Sequence, residues 1–231
     1  MKRSEINKAL RRMERMIQEC RFALPPFCAV TPEEWTEKGH DYDEVRENML
    51  GWDITDYGLG NFDKVGFSLI TLRNGNLKLP QKYPKTYAEK LLYLEETQYA
   101  PNHFHWKKME DIINRGGGTL LIRVYQSMPN EDVDFDRDVC VRMDGVQRIV
   151  PAGTQLVLEP GMSVSVPPRL YHDFSVVPGT GPVLIGEVSQ CNDDETDNRF
   201  QHPMGRFPTI EEDEAPYRLL CNEYPPAREQ L

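Results

Sequence analysis

Cysteine and histidine are both scarce in this chain, five of each among 231 residues. Cys20, Cys28, Cys140, Cys191 and Cys221 are scattered, odd in number and without a CxxC pair, which fits reduced thiols better than a disulfide framework or a zinc knuckle. No run of about 18 apolar residues exists, and the N-terminus opens into an amphipathic segment. Neither a membrane-spanning helix nor a signal peptide is therefore expected, and the expected address is the cytoplasm. Positive charge is also in short supply: 27 Lys and Arg stand against 37 Asp and Glu, a net charge of −10, which argues against a nucleic-acid partner. There is no internal repeat. The length suits one large domain with a substantial core.

The N-terminal part is helical in pattern. Ile6, Ala9, Leu10, Met13, Met16, Ile17 and Cys20 recur at three- and four-residue spacing, which predicts a helix over 4–22 that Pro25 and Pro26 end. Thr31-Pro32-Glu33-Glu34 combines a capping threonine, a proline at the first helical position and a glutamate three residues after the cap. Asp41-Tyr42-Asp43-Glu44 repeats that logic, so two short helices are predicted.

From Trp52 onward strands dominate. Asn74-Gly75 predicts a hairpin between 65–73 and 76–79, Tyr87–Leu94 is a strand candidate, and 102–110 with 119–125 reads as a second hairpin joined through 114–118. Asp144-Gly145 predicts a third, between Val139–Met143 and 147–150. Gln155–Leu158, 162–166, 172–177 and 183–189 continue at intervals of roughly 8–12 residues. Such a series predicts a mainly β sandwich or barrel with N-terminal helices packed outside it. The boundaries expected are a helical region at 1–60, the barrel at 61–190, and a polar loop with an acidic tail wrapping the surface at 191–231.

The chemistry concentrates at His103-Phe104-His105. In a strand, alternate side chains share a face, so His103 and His105 present two imidazoles about 7 Å apart, a chelating pair. Glu110 can return an oxygen ligand if the strand ends or bulges after Trp106, while Phe104 and Trp106 face the opposite way, into packing between sheet and helices. Among the other histidines, His172 stands between two strand runs and supplies a fourth ligand. A single strand histidine is more often a hydrogen-bonded structural residue; the combination of an HxH, a glutamate and a later strand histidine points to a catalytic metal.

These residues carry a resemblance. His103, His105, Glu110 and Gly117 match the first signature of the cupin superfamily, HxH-x4-E-x6-G, and Gly161, Pro167 and His172 match most of the second. Arg169 stands where the second signature usually has glycine and Val176 where it usually has asparagine, which bears on turn geometry and removes no ligand. The resemblance implies a cupin double-sheet β-barrel (jelly roll) with a divalent metal held inside. More specifically, the strings YAEKLL, HFHWKKMEDIINRGGG, GEVSQCNDDETDNRF and GRFPTIEEDE, spread over 87–214, resemble the D-lyxose isomerase family of cupins. That family implies interconversion of D-lyxose with D-xylulose and of D-mannose with D-fructose, a manganese cofactor (Mn2+), and a homodimer.

Aldose-ketose isomerisation fits the residues. It needs a metal that polarises a carbonyl and its neighbouring hydroxyl, and an acid and base on one side of a cis-enediolate. Three histidines and a carboxylate on an octahedral ion leave two adjacent positions for sugar oxygens. Lys90, Lys108 and Glu187 are the acid/base candidates, each a charge within or beside an apolar strand run; burial is expected to lower a lysine's pKa and raise a glutamate's. Lys108 equally suits an outward position beside Lys107. Asp194, Asp197 and Arg199 are candidates for closing the barrel mouth over sugar hydroxyls. The same four ligands also serve iron cupin dioxygenases, cupin phosphosugar isomerases and non-catalytic sugar-binding cupins. A dioxygenase calls for a more apolar pocket, and a phosphosugar enzyme for a basic cluster that the sequence does not display.

Overall fold

The computed structural model describes residues 1–193 and 196–229. Its first element, α1 (Arg3–Glu19), buries Ile6, Ala9, Leu10, Met13, Met16 and Ile17 along the expected stripe. The Glu5 carboxylate accepts the Lys2 N–H at 2.7 Å and fixes its start. It stops short of residue 22 because Arg21 turns left-handed, with φ 53°. In α2 (Pro32–Trp35) the expected capping box forms in both directions, Glu34 N–H to Thr31 Oγ1 at 3.2 Å and Thr31 N–H to the Glu34 carboxylate at 2.8 Å. The next helix, α3 (Asp43–Glu47), forms without a side-chain cap: Tyr42 stands at its N-cap, and Asp41, where the sequence suggested a cap, lies in the preceding turn at His40–Tyr42.

The strands are β1 (Gly51–Thr55), β2 (Phe67–Arg73), β3 (Tyr87–Leu94), β4 (Ala100–Phe104), β5 (Glu110–Gly117), β6 (Leu120–Ser127) and β7 (Val133–Asp134). They continue with β8 (Val139–Met143), β9 (Val146–Val150), β10 (Gln155–Leu158), β11 (Ser163–Val166), β12 (Leu170–Val176), β13 (Val183–Gln190) and β14 (Arg199–Phe200). They form two sheets, one in the order β1-β2-β3-β13-β5-β11-β8-β9 and one in the order β10-β6-β12-β4-β14, with β7 beside β6. Between the sheets lies an apolar core that includes Leu92, Ile112, Ile122, Val164 and Ile185. The outer face of the larger sheet, through Trp52, Ile70, Leu91 and Leu184, packs against α1. This is the jelly-roll barrel with helices outside. β1 lies ahead of residue 61 and β14 beyond residue 190, so segments read as helical and as tail each lend a strand.

Two hairpins of the sequence reading are corrected. Asn74-Gly75 does not turn β2 back on itself: residues 76–79 form no strand, and β2 pairs instead with β3. The Asn74 side chain is drawn across to Asn192, accepting its N–H at 2.9 Å. A side chain on Gly75 would meet the Lys85 carbonyl at 1.8 Å, so the glycine serves close approach rather than a two-residue turn. Likewise β4 and β6 do not pair with each other. Both flank β12, while β5 crosses to the larger sheet between β13 and β11. Gly117, with φ 91° and Pro182 O lying where a Cβ would stand, ends that crossing strand. Phe104 and Trp106 do face away from the histidines, but they pack with Tyr171, Tyr125 and Val133 rather than against the helices, which lie on the other sheet.

The acidic tail wraps the surface as expected. Glu212 and Glu223 pair with Arg3 of α1, Ser4 bonds Asp213, and the Cys221 N–H reaches Trp52 O at 2.7 Å. No helix among the described residues is long and apolar enough to cross a membrane.

Candidate metal centre and proton-transfer row

The strand pairing brings the histidines together. His103 of β4 sits directly opposite His172 of β12, and His105 follows just past the end of β4, tied there by its carbonyl to Arg169 N–H at 2.7 Å. Arg169 adopts φ 65°, the left-handed conformation that glycine takes most readily. The turn before β12 is therefore kept despite the missing glycine. One nitrogen of each of His103, His105 and His172 lies within 4.8 Å of the others.

The donor set fits a divalent cation. Each Nδ1 faces a backbone carbonyl: His103 to Pro101 O at 2.8 Å, His105 to Asp197 O at 3.0 Å, His172 to Leu170 O at 3.0 Å. A carbonyl only accepts, so each Nδ1 carries hydrogen and Nε2 is the nitrogen each ring turns inward as a ligand atom. The Glu110 carboxylate also points there, its Oε1 3.0 Å from His172 Nε2 and 3.4 Å from His105 Nε2. Acceptors thus face acceptors, and the fully buried His172 Nε2 has no hydrogen-bond partner. Burial, reinforced by the two neighbouring histidines, holds His103 well below its ordinary pKa of 6.5 and so in the neutral, ligating form. Burial works to raise the Glu110 carboxyl, but the opposing pull, led by the Lys108 ammonium, outweighs it, and its pKa lies well below 4.5.

Beside this cluster runs a row of charges. Lys108, 4% exposed, turns inward rather than outward beside Lys107. Its Nζ lies 2.7 Å from Glu110 Oε2 and 2.9 Å from Glu187 Oε1, and reaches Asn192 Oδ1 at 3.3 Å. Lys90, opposite Glu187 across β3 and β13, places its Nζ 3.9 Å from the same Oε1, which also accepts the Ser189 hydroxyl at 3.1 Å. The expectation that burial lowers a lysine's pKa fails at Lys108: burial alone acts that way, but the Glu110 and Glu187 carboxylates overcome it and the pKa is raised.

The mouth-closing candidates separate. Asp194 lies outside the described residues. Asp197 is buried, its carboxylate accepting the N–H groups of Lys107 and Lys108 at 2.9 Å each, and its carbonyl holds His105. Arg199 lies apart from the cavity, 3.4 Å from Glu131, while its neighbours Asn198 and Phe200 line the cavity. The sequence reading missed Thr55, Tyr57 and Arg206, which also line it. Thr55 ends β1, a strand the sequence reading did not expect, and Tyr57 and Arg206 stand in irregular segments where no periodicity marks a buried face; the one available signal was Arg206 inside the GRFPTIEEDE string.

A double-sheet barrel with three converging imidazoles that could hold a metal ion is the cupin architecture. Solved L-ribose isomerases share this fold: that of Acinetobacter sp. DL28 with L-ribose gives a TM-score of 0.58 over 90% of this chain and 98% of its own, at 11% identity. That of Cellulomonas parahominis gives 0.56 over 91% and 98%, at 13% identity. Sequence is more specific. The family model for D-lyxose isomerase matches residues 1–224. Proteins called D-lyxose/D-mannose isomerase from Escherichia coli O157:H7 and Serratia proteamaculans are 44% and 42% identical over 225 residues, 97% of this chain and 98% of theirs. The chain belongs to the D-lyxose isomerase family and is a sugar isomerase.

Proposed function

We propose that this protein is a metal-dependent aldose-ketose isomerase that interconverts D-lyxose with D-xylulose and D-mannose with D-fructose. His103, His105, His172 and Glu110 hold the metal, Mn2+ or a similar divalent transition ion, and the active form is a homodimer. The observation that carries the reading is Lys108, whose ammonium joins Glu110 at 2.7 Å to Glu187 at 2.9 Å and so sets the donor cluster beside a carboxylate free to move a proton. The names of the relatives, D-lyxose/D-mannose isomerase, support the substrate pair.

When bound, the metal supplies Lewis-acid polarisation of the substrate's C1 and C2 oxygens. The remaining chemistry belongs to side chains. Glu187 takes its Lys108 and Ser189 contacts on Oε1, so Oε2 is the atom that removes the proton from C2 and returns it to C1 on the same face. Lys108 already makes three contacts, to Glu110, Glu187 and Asn192; it acts as a charged strut that keeps Glu187 aimed. Lys90, on the other side of Glu187, is the group that protonates and deprotonates the substrate oxygen. Tyr57, Phe67 and Phe200 line the cavity and exclude water.

The test is direct. Metal-stripped protein, reloaded with manganese and incubated with D-lyxose, forms ketose by a colour assay, and His172→Ala neither retains stoichiometric metal nor forms ketose. Oxygen uptake on a catechol without ketose would overturn the assignment in favour of an oxygenase.

A further inference from the structure

The metal and Glu187 act on C1 and C2, so the rest of an open-chain sugar must extend away from them. One direction is lined by the rings of Tyr57, Phe67 and Phe200, which offer little to a run of hydroxyls. The other follows the inner face of the larger sheet. There Glu187 lies opposite Lys90, and Lys90 lies opposite Thr71 on β2. Directly opposed residues in antiparallel strands share a face, with Cβ atoms about 4.5–5.5 Å apart. The row therefore leads, one strand at a time, from the proton-transfer group to Thr71.

At Thr71 a second cavity begins. Its walls include Thr71, Asn48, Asn74, Asn192 and Asp53, and Arg206 borders both this cavity and the catalytic one. Asp53, buried on β1, pairs with the Arg206 guanidinium and holds it as the partition. Asn192, on the wall of this cavity, accepts from Lys108, which lines the catalytic one. Glu47, Lys78 and Asp193 also line it, and the amides bond one another; a wall this rich in polar side chains of both charge signs suits the hydroxyls of a neutral sugar. Thr71 itself is 6% exposed and its hydroxyl makes no hydrogen bond among the described residues, although it lines the cavity. A hydroxyl with no protein partner on the wall of a polar chamber is placed to bond a ligand oxygen.

We propose that this second chamber receives the far end of the sugar, with Thr71 hydrogen-bonding the terminal hydroxyl of a six-carbon substrate that a five-carbon one is too short to present. Thr71, flanked by the Arg206 partition, is then a residue that sets the hexose-to-pentose preference. The inference rests on the isomerase reading above and extends it to substrate length.

The experiment compares kcat/KM for D-mannose and D-lyxose in manganese-loaded wild type, Thr71→Val and Thr71→Ser. A site that hydrogen-bonds a substrate hydroxyl discriminates steeply once its own group is lost, so T71V lowers the mannose-to-lyxose ratio roughly five- to fiftyfold, and T71S, which keeps the hydroxyl, returns it towards wild type. An unchanged ratio in T71V, an equal loss on both sugars, or a wild type that converts D-lyxose but not D-mannose overturns the second-chamber assignment alone. No conversion of D-lyxose by the wild type removes the isomerase reading and this one with it. Thermal melts check that the variants fold; if T71V melts early, the contrast of T71A with T71S gives the same answer.

Discussion

Lys108→Met isolates what the buried ammonium does. Methionine keeps most of the length of the stem and deletes the charge, leaving Glu110 and Glu187, 3% and 5% exposed, with their shared partner gone. Lys90 remains 3.9 Å from Glu187, so the group chiefly stranded in the metal-free protein is Glu110, left beside the Nε2 atoms of His105 and His172. Removing one member of a buried ion pair costs about 3–5 kcal/mol. For a chain of this size 1 kcal/mol moves the melting temperature by about 2–4 °C, so metal-free K108M melts roughly 6–20 °C below metal-free wild type. A divalent cation on Glu110 replaces the lost positive charge, and the gap narrows when manganese is added. Circular-dichroism melts with chelator and with manganese read both quantities. Replacing Glu110 as well, in K108M/E110Q, recovers part of the loss, because the stranded charge is gone. A metal-free K108M that melts within about 2 °C of wild type would refute the argument, since an error that small on the scale above means Lys108 compensates no buried charge.

Two further outcomes follow from the same cluster. Asp197→Ala removes the acceptor for the Lys107 and Lys108 amides and loosens the carbonyl that fixes the His105 ring, so manganese affinity falls about 10–100-fold while Asp197→Asn, which keeps one acceptor, falls less; unchanged affinity by titration calorimetry would show that the ring is oriented by other means. In metal-free protein His103 stays neutral in the fold but takes a proton below about pH 6.5 when unfolded, so the unfolded state binds more protons and stability falls as pH drops from 6.5 toward the depressed folded value, by about 1.4 kcal/mol per pH unit. Glu110, also depressed in the fold, adds a loss below its ordinary 4.5. Urea unfolding curves that coincide at pH 7 and pH 5 would contradict this sign.

How much of this was legible in the sequence depends on the range of the interaction. Patterns written within a few residues came through: the stripe of α1, the reciprocal cap of α2, the Asp144-Gly145 hairpin between β8 and β9, and the alternation along the strands. Sheet membership did not, because a strand's own residues do not say whether the next run returns beside it or crosses to the facing sheet. Residues 102–125 hold two such crossings, one at His105–Met109 and one at Gly118, and a hairpin with a glycine turn has the same local composition. Asn74-Gly75 misled for a related reason: its partner, Asn192, lies 118 residues away.

The candidate site divides along the same line. His103, His105 and Glu110 are close in sequence, and His172 completes the group because β12 pairs with β4 in a register that an HxH alone cannot specify. Lys108 was ambiguous between solvent and interior since its environment is supplied from elsewhere: Glu187 stands 79 residues away, and Asp197, 89 residues away, holds the Lys108 amide. A lysine entering an apolar interior alone would lose its proton, whereas one entering between two carboxylates keeps it, so the protonation of Lys108 is a property of a loop meeting β5 and β13 and not of its sequence neighbours alone. The same holds for Asp197. Read as a charge in a polar run it resembles a solvated loop or a sugar contact, but its carboxylate is spent on two backbone amides and its carbonyl on a histidine ring. Its effect on a substrate therefore passes through His105 and Lys108, and a variant at this position perturbs metal affinity before it perturbs sugar binding.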